Sequence, residues 1–271
     1  MPEHAPSPKN PADFSTLPAP PKGSAAASEP HSARRSFSVG GPQGEGGTLD
    51  FRHVRAWIFD LDNTLYPAQC NLFTQIDARM TDYVARLLNV DRIEARRLQK
   101  EHYRLHGTTL NGLMKVHGIA PEEFLAYVHD IDLSVLAPDP ALRSALEKLP
   151  GRRFVFTNGC RDYAARVLDR LDLAALFDEI WDIRAFDFHP KPHAHAYRTA
   201  LSRSGVTAAQ GAMFDDIDRN LVEAHGIGWT TVWLNNGSEW SRQGPREPIA
   251  EPHHIHYETD DLACFLHSIR I

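Results

Sequence analysis

The sequence predicts an α/β protein with a doubly wound parallel sheet and a helical segment inserted after the first strand. Two observations predict this class. From residue 150 onward, short apolar runs alternate with helical patterns, which is typical of a parallel sheet with helices on both faces. Between residues 68 and 149, apolar residues recur at intervals of three and four, which is the period of amphipathic helices.

The first fifty residues differ from the rest in composition. They contain nine of the nineteen prolines, together with many Ser, Gly and Ala residues. A segment with so few large apolar side chains cannot bury enough surface to offset the entropy lost on ordering. We therefore expect residues 1–50 to form a disordered N-terminal tail.

The first predicted strand, residues 57–59, ends in Asp60-Leu61-Asp62. Residues two apart in an extended chain project to the same side, so both carboxylates would crowd one small volume. Two like charges there are unfavourable unless a cation joins them or one carboxylate takes a proton. An isolated Asp-x-Asp is more often a turn, because Asp bonds nearby backbone donors.

The inserted segment contains four predicted helices. We expect them near 73–88, 91–106, 109–117 and 121–130, the last of which begins at Pro121, a typical helix start. Their apolar stripes need a partner surface. Residues 68–149 are therefore predicted to be a compact helical domain, inserted into a core domain made of residues 51–67 and 150–271.

Three further polar clusters lie downstream. Thr157 and Asn158 end the apolar run 154–156, and a hydroxyl with free backbone donors suits a phosphate oxygen. Lys191 stands between two prolines, and an ammonium held on a stiff segment can neutralise a phosphoryl group. Asp215 and Asp216 end the run 212–214, and adjacent carboxylates suit a hard divalent ion. Alone, the first cluster is more typical of a turn and the second of an exposed loop lysine, while the third can be the acidic start of a helix and a metal site together.

The remaining elements complete the alternation. Helices are expected at about 161–171, 193–204 and 217–226, strands at about 179–183, 211–214 and 229–234, and a short strand and a helix between 252 and 271. Ligands bind beyond the carboxyl ends of the strands in such sheets. All four polar clusters fall at strand ends or in the adjoining loops, so we expect them to converge.

The order of these clusters resembles the four motifs of the haloacid-dehalogenase-like superfamily of phosphohydrolases. The sequences of the four motifs resemble the pyrimidine 5′-nucleotidase subfamily, and the resemblance covers about residues 52–240. The motifs are Asp-Leu-Asp-Asn-Thr-Leu-Tyr-Pro, Phe-Thr-Asn-Gly, Lys-Pro-His and Phe-Asp-Asp. The resemblance implies the Rossmann-type core of that superfamily. It also implies that the helical insertion is a small cap, which closes over the site and carries the groups that read the substrate.

The motifs together predict a Mg²⁺-dependent phosphomonoesterase. Asp60 would attack phosphorus and form an aspartyl-phosphate intermediate. Asp62 would protonate the leaving oxygen and then deprotonate the water that hydrolyses the intermediate. Since a halide leaves without a proton, an acid at this position favours phosphate esters over dehalogenation.

The metal and phosphate ligands follow from the same motifs. We expect Mg²⁺ to be held by Asp60, by Asp216 and by the backbone carbonyl of Asp62. The superfamily pattern favours Asp216 over Asp215 as the ligand. Asp215 would be either another ligand or an orienting group. Thr157, the backbone at Asn158 and Lys191 would bind the phosphoryl oxygens.

The expected substrate is a small phosphate ester, most simply a pyrimidine nucleoside monophosphate. A sugar-phosphate phosphatase or phosphomutase is the alternative enzyme, and a catalytically idle binding relative is the alternative of another class. Candidates to line the pocket are Arg161, Tyr163, His189 and polar cap side chains such as Gln75 or Arg79, but each is at least as typical of a surface or packing position.

Composition limits the other partners. The net charge of −6 gives no reason to expect nucleic acid, which needs a basic face. No apolar run approaches the ~20 residues of a membrane span. Three scattered cysteines suit a reducing compartment, so we expect a cytoplasmic protein. The oligomeric state is left open.

Overall fold

The computed structural model describes residues 49–237 and 253–271. The predicted tail, residues 1–50, therefore lies outside the described residues except for Leu49 and Asp50. These two pair with the C-terminal end of the chain: Asp50 bridges Arg270 in parallel, and Arg270 N donates to Leu49 O at 2.8 Å.

The described residues form a parallel six-stranded sheet in the order β3-β2-β1-β4-β5-β6. The strands are β1 (Ala56–Phe59), β2 (Arg152–Phe156), β3 (Glu179–Trp181), β4 (Gly211–Asp215), β5 (Thr230–Leu234) and β6 (Tyr257–Thr259). The order reverses between β1 and β4, which is the doubly wound arrangement. The predicted fold class is thus confirmed, and the reversal point is where such sheets bind ligands.

Helices connect the strands and build the insertion after β1. In chain order, those within the described residues are α1 (Leu72–Leu88), α2 (Arg92–His106), α3 (Thr109–His117), α4 (Pro121–Val128), α5 (Pro140–Lys148), α6 (Arg161–Arg170), α7 (Ala194–Ser204), α8 (Asn220–Gly226) and α9 (Leu262–Ser268). None of them is long and apolar enough to span a bilayer.

Alternate residues of the central strand face two apolar cores. Trp57 and Phe59 pack in the core on one face of the sheet, and Ile58 packs in the core on the other. All three are fully buried. A strand that is buried on both faces has a continuous run of apolar residues in its sequence, which is why β1 could be recognised.

Two predicted elements differ from the structure. The strand expected at 179–183 ends at Trp181, because Asp182 accepts from Ala185 N at 3.2 Å and begins a short 3₁₀ helix, Ile183–Phe186. The helix expected at 217–226 begins only at Asn220, because Asn220 N donates to Ile217 O and Leu221 N to Asp218 O, each at 2.9 Å, and these bonds three residues apart form tight turns and not an α-helix.

The inserted helices fall into two groups by their contacts. Helices α1, α2, α3 and α4 pack against one another, whereas α5 packs against α9 beside the sheet. Helix α5 was not predicted; Asp139 caps it by accepting from Ala141 N and Leu142 N, and Pro140 begins it. We propose that the cap comprises α1 to α4 and ends before α5, rather than at residue 149.

Candidate active site

The site lies at the carboxyl end of β1, in the middle of the sheet. Asp60 N donates to Phe214 O at 2.9 Å, so the pairing with β4 continues for one residue beyond the strand. The chain then turns back: Leu65 N donates to Leu61 O at 3.0 Å, and Asn63 adopts a φ of 58°, which Asn tolerates better than most residues. This turn presents Asp60 at the strand end.

Lys191 joins the ends of β1 and β4. Its Nζ donates to Asp60 Oδ1 and to Asp215 Oδ2, each at 2.7 Å, and the side chain is 2% exposed. The Asn158 side chain fixes the lysine's backbone, because its Oδ1 accepts from Lys191 N at 2.7 Å and its Nδ2 donates to Lys191 O at 3.2 Å. The loop after β2 therefore positions this ammonium.

Asp215 is surrounded by donors. Besides Lys191, it accepts from Asn220 Nδ2 at 3.0 and 3.1 Å and from Ile217 N at 2.9 Å, and it is fully buried. Asp216 accepts only a long bond, 3.4 Å, from Asn63 Nδ2 among the contacts found in the described residues. Asp216 thus has more spare acceptor capacity than Asp215.

Three carboxylates meet beside this lysine. Oxygens of Asp60, Asp215 and Asp216 all lie within 4.8 Å of one another, and all three residues are buried. One ammonium balances only part of their negative charge, and a buried excess of charge is unfavourable. Oxygen donors with surplus negative charge are what Mg²⁺ prefers, so the donor set fits a divalent cation.

Burial and mutual repulsion govern the protonation of these groups. Burial raises the pKa of Asp60 to about 7 against the pull of Lys191, and Asp215 adds to the rise. Burial and the charges of Asp60 and Asp215 likewise raise the pKa of Asp216 well above its usual value. Burial opposes the charged form of Lys191, but Asp215 and Asp60 outweigh it and raise its pKa. A cation among the carboxylates would lower their pKa values again.

Asp62 faces a different environment. Its Oδ1 accepts from the hydroxyl groups of Tyr66 and Tyr163, each at 2.6 Å. Burial raises the pKa of Asp62, while these two hydrogen bonds oppose the rise. The pair Asp60 and Asp62 therefore has one member bound to a lysine and the other bound to two tyrosines.

Thr157 follows β2 at the same edge of the sheet. Its backbone N–H donates to Trp181 O at 3.0 Å, and its Oγ1 accepts from Gly159 N at 2.9 Å. Because Oγ1 accepts this bond, its own hydrogen is directed elsewhere and is available to an oxygen in the cavity.

A cavity of about 170 Å³ separates this sheet edge from the cap. Asp60, Asp62, Thr157, Lys191 and Asp216 line its floor. The cap side contributes apolar side chains, Phe73, Ile76, Met80, Leu110, Phe124 and Val128, and also polar ones, Asp77, Gln99, Lys100, Thr108 and Thr109. The Arg219 guanidinium closes one side by donating to the Tyr103 hydroxyl of α2.

Several polar residues of the site were not predicted. Asn63 and Tyr66 lie within the first motif itself, and Asn220 begins the helix after the last one. Tyr163 was a candidate without a role. Two other candidates have structural partners instead: Gln75 bonds Asp132, and Arg79 donates to the Tyr127 carbonyl.

A family model described as haloacid dehalogenase-like hydrolase matches residues 54–227. The chain belongs to this family. The match includes all four polar clusters, and the described site occupies the strand ends that those clusters follow.

One curated relative of this haloacid dehalogenase-like chain is Phosphate metabolism protein 8 of Saccharomyces cerevisiae. The two are 29% identical over 192 residues, which is 64% of this chain and 59% of the yeast protein. The match thus spans less than two thirds of the relative's length.

Solved structures share the fold at low identity. A HAD phosphatase from Thermococcus onnurineus is 21% identical, with a TM-score of 0.53, over 80% of this chain and 100% of that chain. A predicted phosphoglycolate phosphatase from Haemophilus somnus 129pt is 19% identical, with a TM-score of 0.54, over 79% and 97%. The magnesium-bound hydrolase YfnB of Bacillus subtilis is 16% identical, with a TM-score of 0.52, over 80% and 99%. At these identities the likeness concerns the fold alone.

Proposed function

We propose that this hydrolase is a Mg²⁺-dependent phosphomonoesterase that works through a phosphoryl group carried on Asp60. The proposal rests on one observation: the buried Lys191 ammonium bonds both Asp60 and Asp215, and Asp216 lies beside them. Asp60, Lys191 and Asp216 line the floor of the cavity. A carboxylate, a fixed ammonium and surplus oxygen ligands are the groups that phosphoryl transfer requires.

The chain's own residues account for both half-reactions. A carboxylate oxygen of Asp60 forms a bond to phosphorus while the ester P–O bond breaks. Asp62 gives its proton to the departing oxygen, so that an alcohol leaves. Asp62, now ionised, takes a proton from a water molecule as that water attacks phosphorus, which releases inorganic phosphate and restores Asp60.

The phosphoryl oxygens need donors throughout. The Thr157 hydroxyl and the Lys191 ammonium both line the cavity beside Asp60 and would hold them. Mg²⁺, held by Asp60, Asp216 and the Asp62 carbonyl, would neutralise charge between carboxylate and phosphate as a Lewis acid. Asp215 serves mainly to orient Lys191, because its oxygens already accept from that residue, Asn220 and Ile217.

For the substrate we propose a pyrimidine nucleoside monophosphate. The sequences of the four motifs resemble those of the pyrimidine 5′-nucleotidase subfamily, which supports this substrate. The apolar side chains of Phe73, Ile76 and Phe124 in the cavity suit a flat ring. Polar groups of the cap also line the cavity, among them Gln99, whose Nε2 donates to Asp77 Oδ1 at 2.9 Å. The free thiols of Cys70, Cys160 and Cys264 fit the cytoplasm as the place of reaction.

The test is phosphate release with matched variants. Wild-type enzyme should hydrolyse p-nitrophenyl phosphate with Mg²⁺ and lose activity with a chelator. Asp60→Asn should abolish turnover, whereas Asp162→Asn, an isosteric change at an exposed position of α6, should not alter it. Equal turnover by Asp60→Asn and wild type would exclude Asp60 as the nucleophile.

A substrate panel separates the proposed substrate from the mechanism. We expect kcat/KM to be highest for UMP and CMP and lower for AMP, GMP and glucose 6-phosphate. A preference for the hexose phosphate would remove the nucleotidase proposal and leave the phosphomonoesterase proposal intact.

A further inference from the structure

Two tyrosine hydroxyls converge on a single oxygen of Asp62. Tyr66 Oη and Tyr163 Oη each lie 2.6 Å from Asp62 Oδ1, and the two hydroxyl oxygens lie 3.5 Å from each other. Tyr66 is 3% exposed and Tyr163 is fully buried, so these contacts are inside the protein. Tyr66 belongs to the turn after β1, whereas Tyr163 lies in the first turn of α6.

This arrangement distinguishes the two oxygens of the carboxyl group. An sp² oxygen has two lone pairs, and two O–H donors use both of them. Oδ1 is therefore occupied as an acceptor and cannot also bear the proton. When Asp62 is protonated, the proton must be on Oδ2, the oxygen that neither tyrosine contacts.

One of the tyrosines also contacts the cap. The Tyr163 ring stacks on the His129 imidazole, with centroids 4.5 Å apart and planes 11° apart. His129 directly follows cap helix α4, is 6% exposed, and has Nδ1 3.3 Å from Cys160 Sγ. Arg166 of α6 donates to the His129 carbonyl. The ring of Tyr163 is thus held between Asp62 and the cap.

We propose that Tyr66 and Tyr163 are positioning residues that assign the transferable proton of Asp62 to Oδ2, and that His129 couples this orientation to the cap. The inference rests on the proposed function, because it requires Asp62 to protonate the leaving oxygen. It predicts that losing the hydroxyls harms departure of the alcohol more than binding of the phosphate.

The experiment compares two esters that differ only in the acidity of their leaving group. The parameter kcat/KM covers the steps up to departure of the alcohol, and p-nitrophenol departs with less help from an acid than phenol does. We define the leaving-group ratio as kcat/KM for p-nitrophenyl phosphate divided by kcat/KM for phenyl phosphate. A merely structural role for the tyrosines would lower both values together and leave the ratio unchanged.

Loss of both tyrosine hydroxyls should change this ratio. Tyr66→Phe/Tyr163→Phe should raise it about 10-fold, a fraction of the about 10²–10⁴ that a general acid contributes. Asp62→Asn should raise it further, and adding the tyrosine substitutions to Asp62→Asn should change it no more. Tyr83→Phe, a buried cap tyrosine away from the cavity lining, is the matched control and should keep the wild-type ratio.

A second pair of variants tests the coupling to the cap. His129→Phe keeps a ring against Tyr163 and His129→Ala removes it, while both lose the contact with Cys160. His129→Ala should raise the ratio as Tyr163→Phe does, and His129→Phe should stay near wild type. If the double tyrosine variant does not fold, which thermal melting reports, the single variants Tyr66→Phe and Tyr163→Phe carry the test, and each should raise the ratio.

The outcomes separate the two proposals. An active wild type whose ratio is unchanged in every tyrosine variant would overturn the positioning role and leave the proposed function standing. Equal ratios in His129→Ala and His129→Phe would overturn the coupling. Absence of phosphate release by the wild type would overturn the proposed function, and the positioning role with it.

Discussion

The ammonium of Lys191 lies 2.7 Å from Oδ1 of Asp60, and both side chains are withdrawn from solvent. A flexible lysine would lose rotamer freedom on being held there. The contacts with Asp60 and Asp215 must offset that cost, while Asn158 fixes the lysine's backbone at both its N–H and its carbonyl. The contact therefore provides a positive charge that is already in place where a phosphoryl group would arrive.

Removing this charge should slow turnover strongly. We expect Lys191→Met to lower kcat by about 10²–10³, the usual loss when one positioned donor is removed from a transition state. Lys148→Met, at an exposed position of α5, is the control and should have no effect. The measurement is steady-state hydrolysis of p-nitrophenyl phosphate at saturating Mg²⁺. A change in kcat below about threefold would mean that Lys191 is structural.

Asp215 and Asp216 should respond differently to the loss of charge. Asp216 has the spare acceptor capacity, so Asp216→Asn should raise the Mg²⁺ concentration needed for half-maximal activity. Asp215 is occupied by Lys191, Asn220 and Ile217, so Asp215→Asn should mainly lower kcat. A Mg²⁺ titration of activity separates these effects, and the Mg²⁺-induced rise in melting temperature reports binding without turnover. The reverse assignment of the two variants would make Asp215 the principal ligand.

The fold could be predicted because its central strands β1 and β4 are buried on both faces. Strand β1 and its neighbours appear as continuous apolar runs, and their alternation with helices indicates a parallel sheet. Helix α5 was missed, although Asp139-Pro140 is a typical helix start. The start of α8 was misplaced because residues 217–221 form tight turns with bonds three residues apart, and periodicity does not distinguish such turns from the first turn of an α-helix.

The site was predictable only where the sheet itself brings residues together. The positions of Asp60 and Asp215 follow from the rule that parallel strands end at one edge, whereas Lys191 comes from a loop beyond the 3₁₀ helix after β3. The contact between Asp62 and Tyr163 joins positions 101 residues apart, and it depends on how α6 packs beneath the cap. A helical period shows which face is apolar but not what that face covers, so the contact of His129 with Tyr163 had no signal in the sequence. The roles assigned to all these residues stay predictions.

Acid should destabilise the protein through His129. Burial lowers the pKa of this imidazole to about 4, against about 6.5 in an unfolded chain. The folded state binds the proton less readily than the unfolded chain does. The free energy of unfolding is therefore highest above pH 6.5, where the ring is neutral in both states, and it decreases as pH falls toward 4. Relative to His129→Gln, which cannot titrate, the wild type should lose up to about 2 kcal/mol more between pH 7 and pH 5. Urea unfolding at the two pH values measures this difference. Parallel losses in both proteins would show that other groups cause the acid sensitivity.

The packing of α2 against α3 should not tolerate a side chain at Gly112. A Cβ atom there would lie 2.5 Å from Cβ and from Nδ1 of His102, which is 7% exposed and has little room to move. Gly112→Ala should therefore cost about 1–3 kcal/mol of stability, as overpacking usually does. Gly226→Ala is the matched control, because a Cβ at this position of α8 meets nothing within 4 Å and alanine favours a helix. Thermal melting should show a drop of at least about 2 °C for Gly112→Ala and none for Gly226→Ala. If both variants melted at the wild-type temperature, α2 and α3 would have to separate more easily than their close approach implies.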